Sequence, residues 1–348
     1  TLFNDTATTE IYTYTESSAA SDVYKRQVSS IVAVEPNKLL TDLLKLKHQN
    51  LVDSLYNSRS VEIHNITSRS FILSSDEGFD LIQLPIIDAF GGTSGLLALK
   101  EDFLLTKNSF SDMFEMLSDS GMISLTTWID YPYKNSLKVI STLAEVLNDK
   151  GIIEPSHHLA AIRNWNIITL AIKKSTFQTE EIDEIRSFCS KMNFDPVILP
   201  DIKNFERNHY NKIKDTSFFS YIEELLDSNF DNEQLYSNYT FNIRPATDDK
   251  PYFAQFLKWK SINHISDYFG KSMVPFFEIG YFLLYLTFFQ ICLLSLFLIL
   301  LPLFYLIRKN EFKTSANLKK HKILVRSFLY FSCIGLGYMF FEIISLQR

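Results

Sequence analysis

Two acids and a pair of glycines carry the chemistry this sequence offers. Glu35 ends the apolar run Ile31-Val32-Ala33-Val34 and stands just before a helical pattern. A carboxylate at the end of a strand can accept hydrogen bonds from both hydroxyls of a ribose, as the acid that follows the first βα unit does in nucleotide-binding sheets. The same residue also suits a plain helix N-terminal acid that favours the dipole, and the pattern leaves both readings open. Asp88 is the only charge of the loop in a second stretch, Phe79 to Gly92, in which a short apolar run leads into a glycine-turned loop. Gly91 and Gly92 allow a close backbone approach, and ligands of open α/β sheets sit beyond the carboxyl ends of strands. That loop is therefore the expected wall of a site.

Other constellations offer less. His157 and His158 are adjacent, so on regular structure they point apart and make no metal pair. Asp248 and Asp249 either pair with Arg244, face a site, or sit in a solvated turn. Neither a Ser–His–Asp order nor a P-loop occurs. The three cysteines are too few and too scattered for a disulfide framework and read as buried thiols. A net charge of −6 gives no case for nucleic acid.

The elements that must position these residues follow from periodicity. Val28–Val34 reads as a strand and Lys38–Gln49 as a helix. Val61–Asn65 is a short strand, and Ser68–Leu73 one or two helical turns. Phe79–Leu84 is a buried strand stopped by Pro85, which has no N–H for the ladder. A helix over Ser109–Leu117 is closed by Gly121, and the strand Met122–Trp128 follows. Asn135–Asn148 is a helix, Asn166–Lys173 a strand, Thr179–Met192 a helix with a Thr cap, and Phe194–Leu199 a last strand. Strands alternating with helices of this length predict a largely parallel sheet covered on both faces. Residues 201–273 form an accessory region, with helices expected over Lys203–Ile213 and Ser217–Leu226.

The two ends differ from this middle. Residues 1–27 show no period and read as disordered or artefactual, since Ser17 to Gln27 resembles a translated adapter sequence. From Ile279 to Ile307 there are 29 residues without a formal charge, and about 20 suffice to cross the hydrocarbon of a bilayer. Residues 274–307 and 327–348 are therefore expected to be transmembrane helices, the second cut short, joined by a basic linker over 308–326. The seven Lys or Arg of that linker place it in the cytoplasm. A single crossing would then put the α/β domain outside, where a nucleotide cofactor does not belong, and the side of the membrane stays open.

The set Val34-Glu35-Pro36, His64 to Arg69, Phe79 to Pro85 and Gly121 to Ser124 resembles spermidine synthase-like proteins of the S-adenosylmethionine-dependent methyltransferase fold. Leu159 to Trp165, Pro245 to Phe253 and Phe340 to Ile343 add a likeness to the bacterial membrane members of that group. The resemblance implies an α/β, Rossmann-like sheet followed by transmembrane helices. It implies that Glu35, Pro36, Thr67, Ser68, Leu84 and Pro85 hold S-adenosylmethionine or its decarboxylated form, and that Asp88 is the catalytic acid. Thr67 stands where the group carries an acid. Pro85 stands where aminopropyltransferases carry the base that makes the amine nucleophilic. Both departures argue against spermidine synthesis.

The group's glycine-rich loop is also missing, because no glycine precedes Gly78. The expectation is that the first βα unit is lost and that the chain binds its cofactor poorly or not at all. The resulting reading is a membrane-anchored S-adenosylmethionine-type transferase of the bacterial inner membrane. It would contact membrane lipid and an unidentified small-molecule acceptor, and no nucleic acid. The alternative is a non-catalytic membrane sensor or transporter-associated protein that keeps the fold.

Overall fold

The computed structural model describes residues 9–13, 29–46, 58, 60–75, 78–87, 98–227, 232–261, 279–308, 326, 329–330 and 332–342. The chain divides into two units, Thr1–Phe282 and Leu283–Arg348. In the first, the strands are β1 Thr9–Thr13, β2 Ser30–Val34, β3 Val61–His64, β4 Phe79–Ile87, β5 Leu117–Trp128, β6 Leu159–Arg163, β7 Ile167–Lys173 and β8 Asp195–Ile198. They form one sheet in the order β3-β2-β1-β4-β5-β7-β6-β8. The pairs from β3 through β5 are parallel. β7 then runs antiparallel to β5, and β6 antiparallel to both β7 and β8. The α/β expectation holds, with half of the sheet antiparallel where a largely parallel one was expected.

The helices of this unit are α1 Lys38–Leu46, α2 Ser68–Ser74, α3 Lys107–Glu115, α4 Asn135–Asp149, α5 Thr179–Met192, α6 Ser217–Leu226 and α7 Asn232–Asn238. The main core joins the sheet to α2, α3, α4 and α6. In α4, Leu137, Ile140, Leu143, Val146 and Leu147 are all fully buried, each burial being worth about 1.5–3 kcal/mol before entropy. A second, smaller core packs Ile182, Ile185 and Cys189 of α5 against Ala160, Phe177 and Leu199. The cap of α5 is Gln178 rather than a threonine, and Glu181 returns the bond to the Gln178 N–H at 2.8 Å.

Four expectations are corrected here. The first strand is present: Thr9–Thr13 pairs in parallel with both β2 and β4, so the sheet does not lack it. Its residues are mostly β-branched or aromatic, which favours a strand, and its slot would otherwise leave two inner edges unpaired. The rest of 1–27, including Ser17 to Gln27, lies outside the described residues. Pro85 does not stop β4, which runs on to Ile87. The register against β5 shifts between Gln83 and Ile86, and that irregularity accommodates a residue with no N–H. Gly121 lies inside β5, where a Cβ would sit 2.5 Å from the Phe79 carbonyl oxygen. It permits close strand approach instead of ending a helix. Lys203–Ile213 is a run of turns and bends, not a helix.

The membrane expectation is also corrected. α8 spans Ile279–Arg308, and a further helical stretch covers 332–342. Among the described residues no helix is long and apolar enough to cross a membrane. The transmembrane helices, and the inner-membrane location that rested on them, fall with that finding. The linker over 309–325 lies outside the described residues. Cys189 is buried as expected, while Cys292 and Cys333 are exposed, because the described side chains around them in this second unit are exposed as well.

Candidate functional site

Strand β1 has β2 on one side and β4 on the other, so chain direction around the sheet reverses between β1 and β4. The carboxyl ends of such strands frame the crevice of an open α/β sheet. Glu35 lies there, one residue beyond β2, and its N–H donates to the His64 carbonyl at 3.0 Å. Asn65, at the end of β3, donates from Nδ2 to the Glu35 carbonyl at 2.9 Å and to Thr41 Oγ1 at 3.0 Å. These bonds stitch the ends of two strands to α1.

The two sequence readings of Glu35 can now be separated. Asn37 caps α1, its Oδ1 accepting from the N–H groups of Leu39 and Leu40. Glu35 Oε1 accepts from the Asn37 N–H at 2.7 Å. Glu35 is only 9% exposed, and among the described residues its buried Oε2 has no hydrogen-bond partner. A buried carboxylate oxygen without a donor costs on the order of 1–3 kcal/mol, more when charged. The helix start does not need this oxygen.

A small apolar cavity of about 10 Å³, which admits no more than one water, lies against Val34, the residue before Glu35. Val34, Ile82 and Leu84 form its sheet wall, Ser68, Phe71 and Ile72 a wall from α2, and Leu104 and Met113 a wall from the segment that enters α3 and from α3 itself. Of the residues expected to hold a cofactor, Ser68 and Leu84 therefore meet at one place, while Glu35 is not part of its lining. Pro36 and Thr67 are exposed at the same strand ends. Thr67 caps α2, its Oγ1 accepting from the Ser70 N–H at 3.3 Å. Pro85 is half-buried within β4 and has no proton to take or give. Asp88, with Gly91 and Gly92, lies outside the described residues.

The two helical walls are tied by a charged group that the sequence did not reveal. Arg69 donates from Nη1 to Asp112 Oδ2 at 2.6 Å and from Nη2 to Asp248 Oδ2 at 2.7 Å. Thr106, the N-cap of α3, donates to Asp248 Oδ1 at 2.6 Å. Burial alone would lower the Arg69 guanidinium, but the two carboxylates outweigh it and hold it above its ordinary range. Of the readings open for Asp248, the pair with Arg244 is not formed, since Arg244 pairs with Glu233. Farther along the same edge, Asp130 follows β5. Burial pushes its carboxyl above the usual range, and its Oδ1 accepts from the Lys134 and Asn135 N–H groups, which commits it to the start of α4. Among the described residues no group of three or more His, Cys, Asp or Glu is placed to hold a metal ion.

Comparisons with known proteins reach the fold only. No family model matches the chain, and no curated protein matches it either. Among solved structures, a protein described as a probable spermidine synthase from Corynebacterium glutamicum is similar at 16% identity, with a TM-score of 0.38, over 64% of this chain and 72% of that one. The spermidine synthase of Thermotoga maritima is similar at 12% identity and a TM-score of 0.36, over 62% and 67%. Human methyltransferase-like protein 13, solved with SAH, gives 13% identity and a TM-score of 0.37 over 53% and 82%. Likenesses this loose transfer neither activity nor residue roles. The class rests on the sheet itself: an α/β, Rossmann-like domain with an antiparallel end.

Proposed function

We propose that this edge of the sheet binds the nucleoside part of an S-adenosylmethionine-type ligand, and that the chain is a transferase of that class. The observation that supports it is Glu35: a buried carboxylate with one oxygen unpartnered among the described residues, beyond β2 and next in sequence to Val34, which lines an apolar cavity with Ser68 and Leu84. A ribose presents two adjacent hydroxyls, the donors that oxygen lacks, and a nucleobase presents a flat apolar face. The cavity is too small to enclose a base, so the apolar surface it opens on is what a base would pack against. When bound, S-adenosylmethionine supplies an electrophilic carbon on a sulfonium. Glu35 would orient the ribose, and Asp88 remains the proposed acid on the acceptor side. Pro85 argues against aminopropyl transfer, because it cannot take a proton from an amine.

Calorimetric titration with S-adenosylhomocysteine tests the reading. Wild-type binding is expected, weakened about 10- to 100-fold by Glu35→Gln, as suits a hydrogen bond to a charged group. Absence of wild-type binding at millimolar ligand, or an unchanged Kd in the variant, overturns it. A second reading, binding without turnover, draws on Pro85 and on Thr67, whose hydroxyl is spent on capping α2. Methyl transfer from the cofactor to any of a panel of amine, hydroxyl and thiol acceptors would exclude that second reading.

A further inference from the structure

We propose that Arg69 is a positioning residue whose clamp on Asp112 and Asp248 sets the gap between the two helical walls of the pocket, so that ligand affinity depends on the distant loop 242–256. This rests on the nucleoside reading of the site.

The clamp joins neighbours of the lining residues. Arg69 follows Ser68 on α2, and Asp112 precedes Met113 on α3. Thr106, held by Asp248, lies two residues beyond Leu104. The Arg69–Asp112 bond therefore crosses from one pocket wall to the other, and the Arg69–Asp248 and Thr106–Asp248 bonds link the first wall through the loop to the start of the second. Arg69 is the residue type this needs. Its planar fork reaches two carboxylates at once, which a lysine ammonium does not reproduce.

The partner loop is built to hold its tip still. Its ends meet where the Asn242 N–H donates to the Phe256 carbonyl at 2.7 Å. Its base rests on α4: Lys138 Nζ lies 4.9 Å from the Phe256 ring centre and donates to the Gln255 carbonyl at 3.1 Å. Along its flank, the Lys107 N–H donates to Ala246 O at 2.8 Å and the Asp102 N–H to Pro251 O at 2.7 Å. At the tip, the Asp248 N–H donates to Asn108 Oδ1 at 3.2 Å. A compact loop with joined ends, docked by side chains, is a form that often carries function. Because Arg69 and Asp248 are 14% and 36% exposed, the bond is partly screened. Its consequence is geometric: it limits how far α2 and α3 can part.

The test uses the full chain with Asp248→Asn, Arg69→Lys and, as the milder break on the other arm, Asp112→Asn. Asp183→Asn, which breaks the exposed Arg186 pair on α5, is the control. Each is read by Kd for S-adenosylhomocysteine, by urea midpoint, and by amide exchange at Lys107 and Asp248 with and without ligand. The expected result is a rise in Kd of about tenfold for Asp248→Asn and Arg69→Lys, a smaller rise for Asp112→Asn, and none for the control. Ligand should slow exchange of both amides in the wild type and not in Asp248→Asn. A lowered urea midpoint with unchanged Kd in every folded clamp variant would show a merely structural bond and overturn the proposal. So would tighter binding, which would mean that the clamp opposes the ligand. If the wild type does not bind, the reading of the site fails and this proposal fails with it; if it binds and only Glu35→Gln weakens it, this proposal fails alone.

Discussion

Two buried carboxylates sit in the same sheet and are treated in opposite ways. Asp195, at the start of β8, is fully buried and fully engaged. It accepts from the N–H groups of His209, Tyr210 and Asn211 at 2.7–3.0 Å and lies 3.3 Å from Arg163 Nη2. Arg163 in turn bonds the Arg207 carbonyl and stacks over Phe219. Glu35, beyond β2, is buried almost as deeply, yet one of its oxygens has nothing to accept. Burying a charge is costly unless it is paired and hydrogen-bonded. In the antiparallel half the Asp195 carboxylate has met that cost internally, although among the described residues the Arg163 and Arg207 Nε atoms around it are buried without a partner. The parallel half has left it standing at the edge where ligands of such sheets bind.

The largest effect expected from breaking this contrast is at Asp195. Asp195→Ala leaves Arg163 buried without its partner and frees three N–H groups, so a loss of about 3–5 kcal/mol or failure to fold is expected by urea unfolding. A loss below about 1 kcal/mol would show that the pair is not structural. Next comes the core that supports both halves: Leu143→Ala, fully buried in α4, should cost about 2–5 kcal/mol in the same measurement.

Glu35→Gln should cost almost nothing in the same unfolding curve, because only the bond from the Asn37 N–H is exchanged for a similar one. A loss as large as that of Asp195→Ala would place Glu35 with the structural acids. Asn37→Ala removes the cap of α1 and should lower stability by about 1 kcal/mol.

The smallest effect is a pH signature. Burial, with help from Arg244, holds Lys258 down to about 8 from an ordinary 10.5. Between those values the unfolded chain binds more protons than the folded one, so stability rises with pH. The wild type should gain on Lys258→Met from about pH 8 to pH 9.5, and parallel pH profiles would contradict the assignment.

Much of this was legible in the chain and some of it was not, for physical reasons. Glu35 was found because a strand that ends in an acid before a helix has a readable period. α4 and α5 were found because their apolar spacing is long and regular. Ser68 and Leu84 were named through the family resemblance, not through any period of their own, and they line one cavity with Val34. β1 was missed because its five residues sit among small polar ones, and its pairing with β2 and β4 is a non-local fact. β6 was not read as a strand, and the antiparallel turn of β7 and β6 is set by packing that no local window reports. The Arg69–Asp248 bond joins residues 179 apart in sequence, and local reasoning offered Asp248 only the nearby Arg244, a site or a solvated turn. The apolar run of α8 was legible as composition, but composition alone overstated what the described helix supports.

The most direct test of the central claim, that the free oxygen of Glu35 is reserved for a ribose, is a thermodynamic cycle. S-adenosylhomocysteine and its 2′-deoxy analogue are titrated into the wild type and into Glu35→Gln. The account predicts that the wild type prefers the ribose ligand by about tenfold or more and that Glu35→Gln loses most of that preference. Equal preference in both proteins, or none in the wild type, would contradict it.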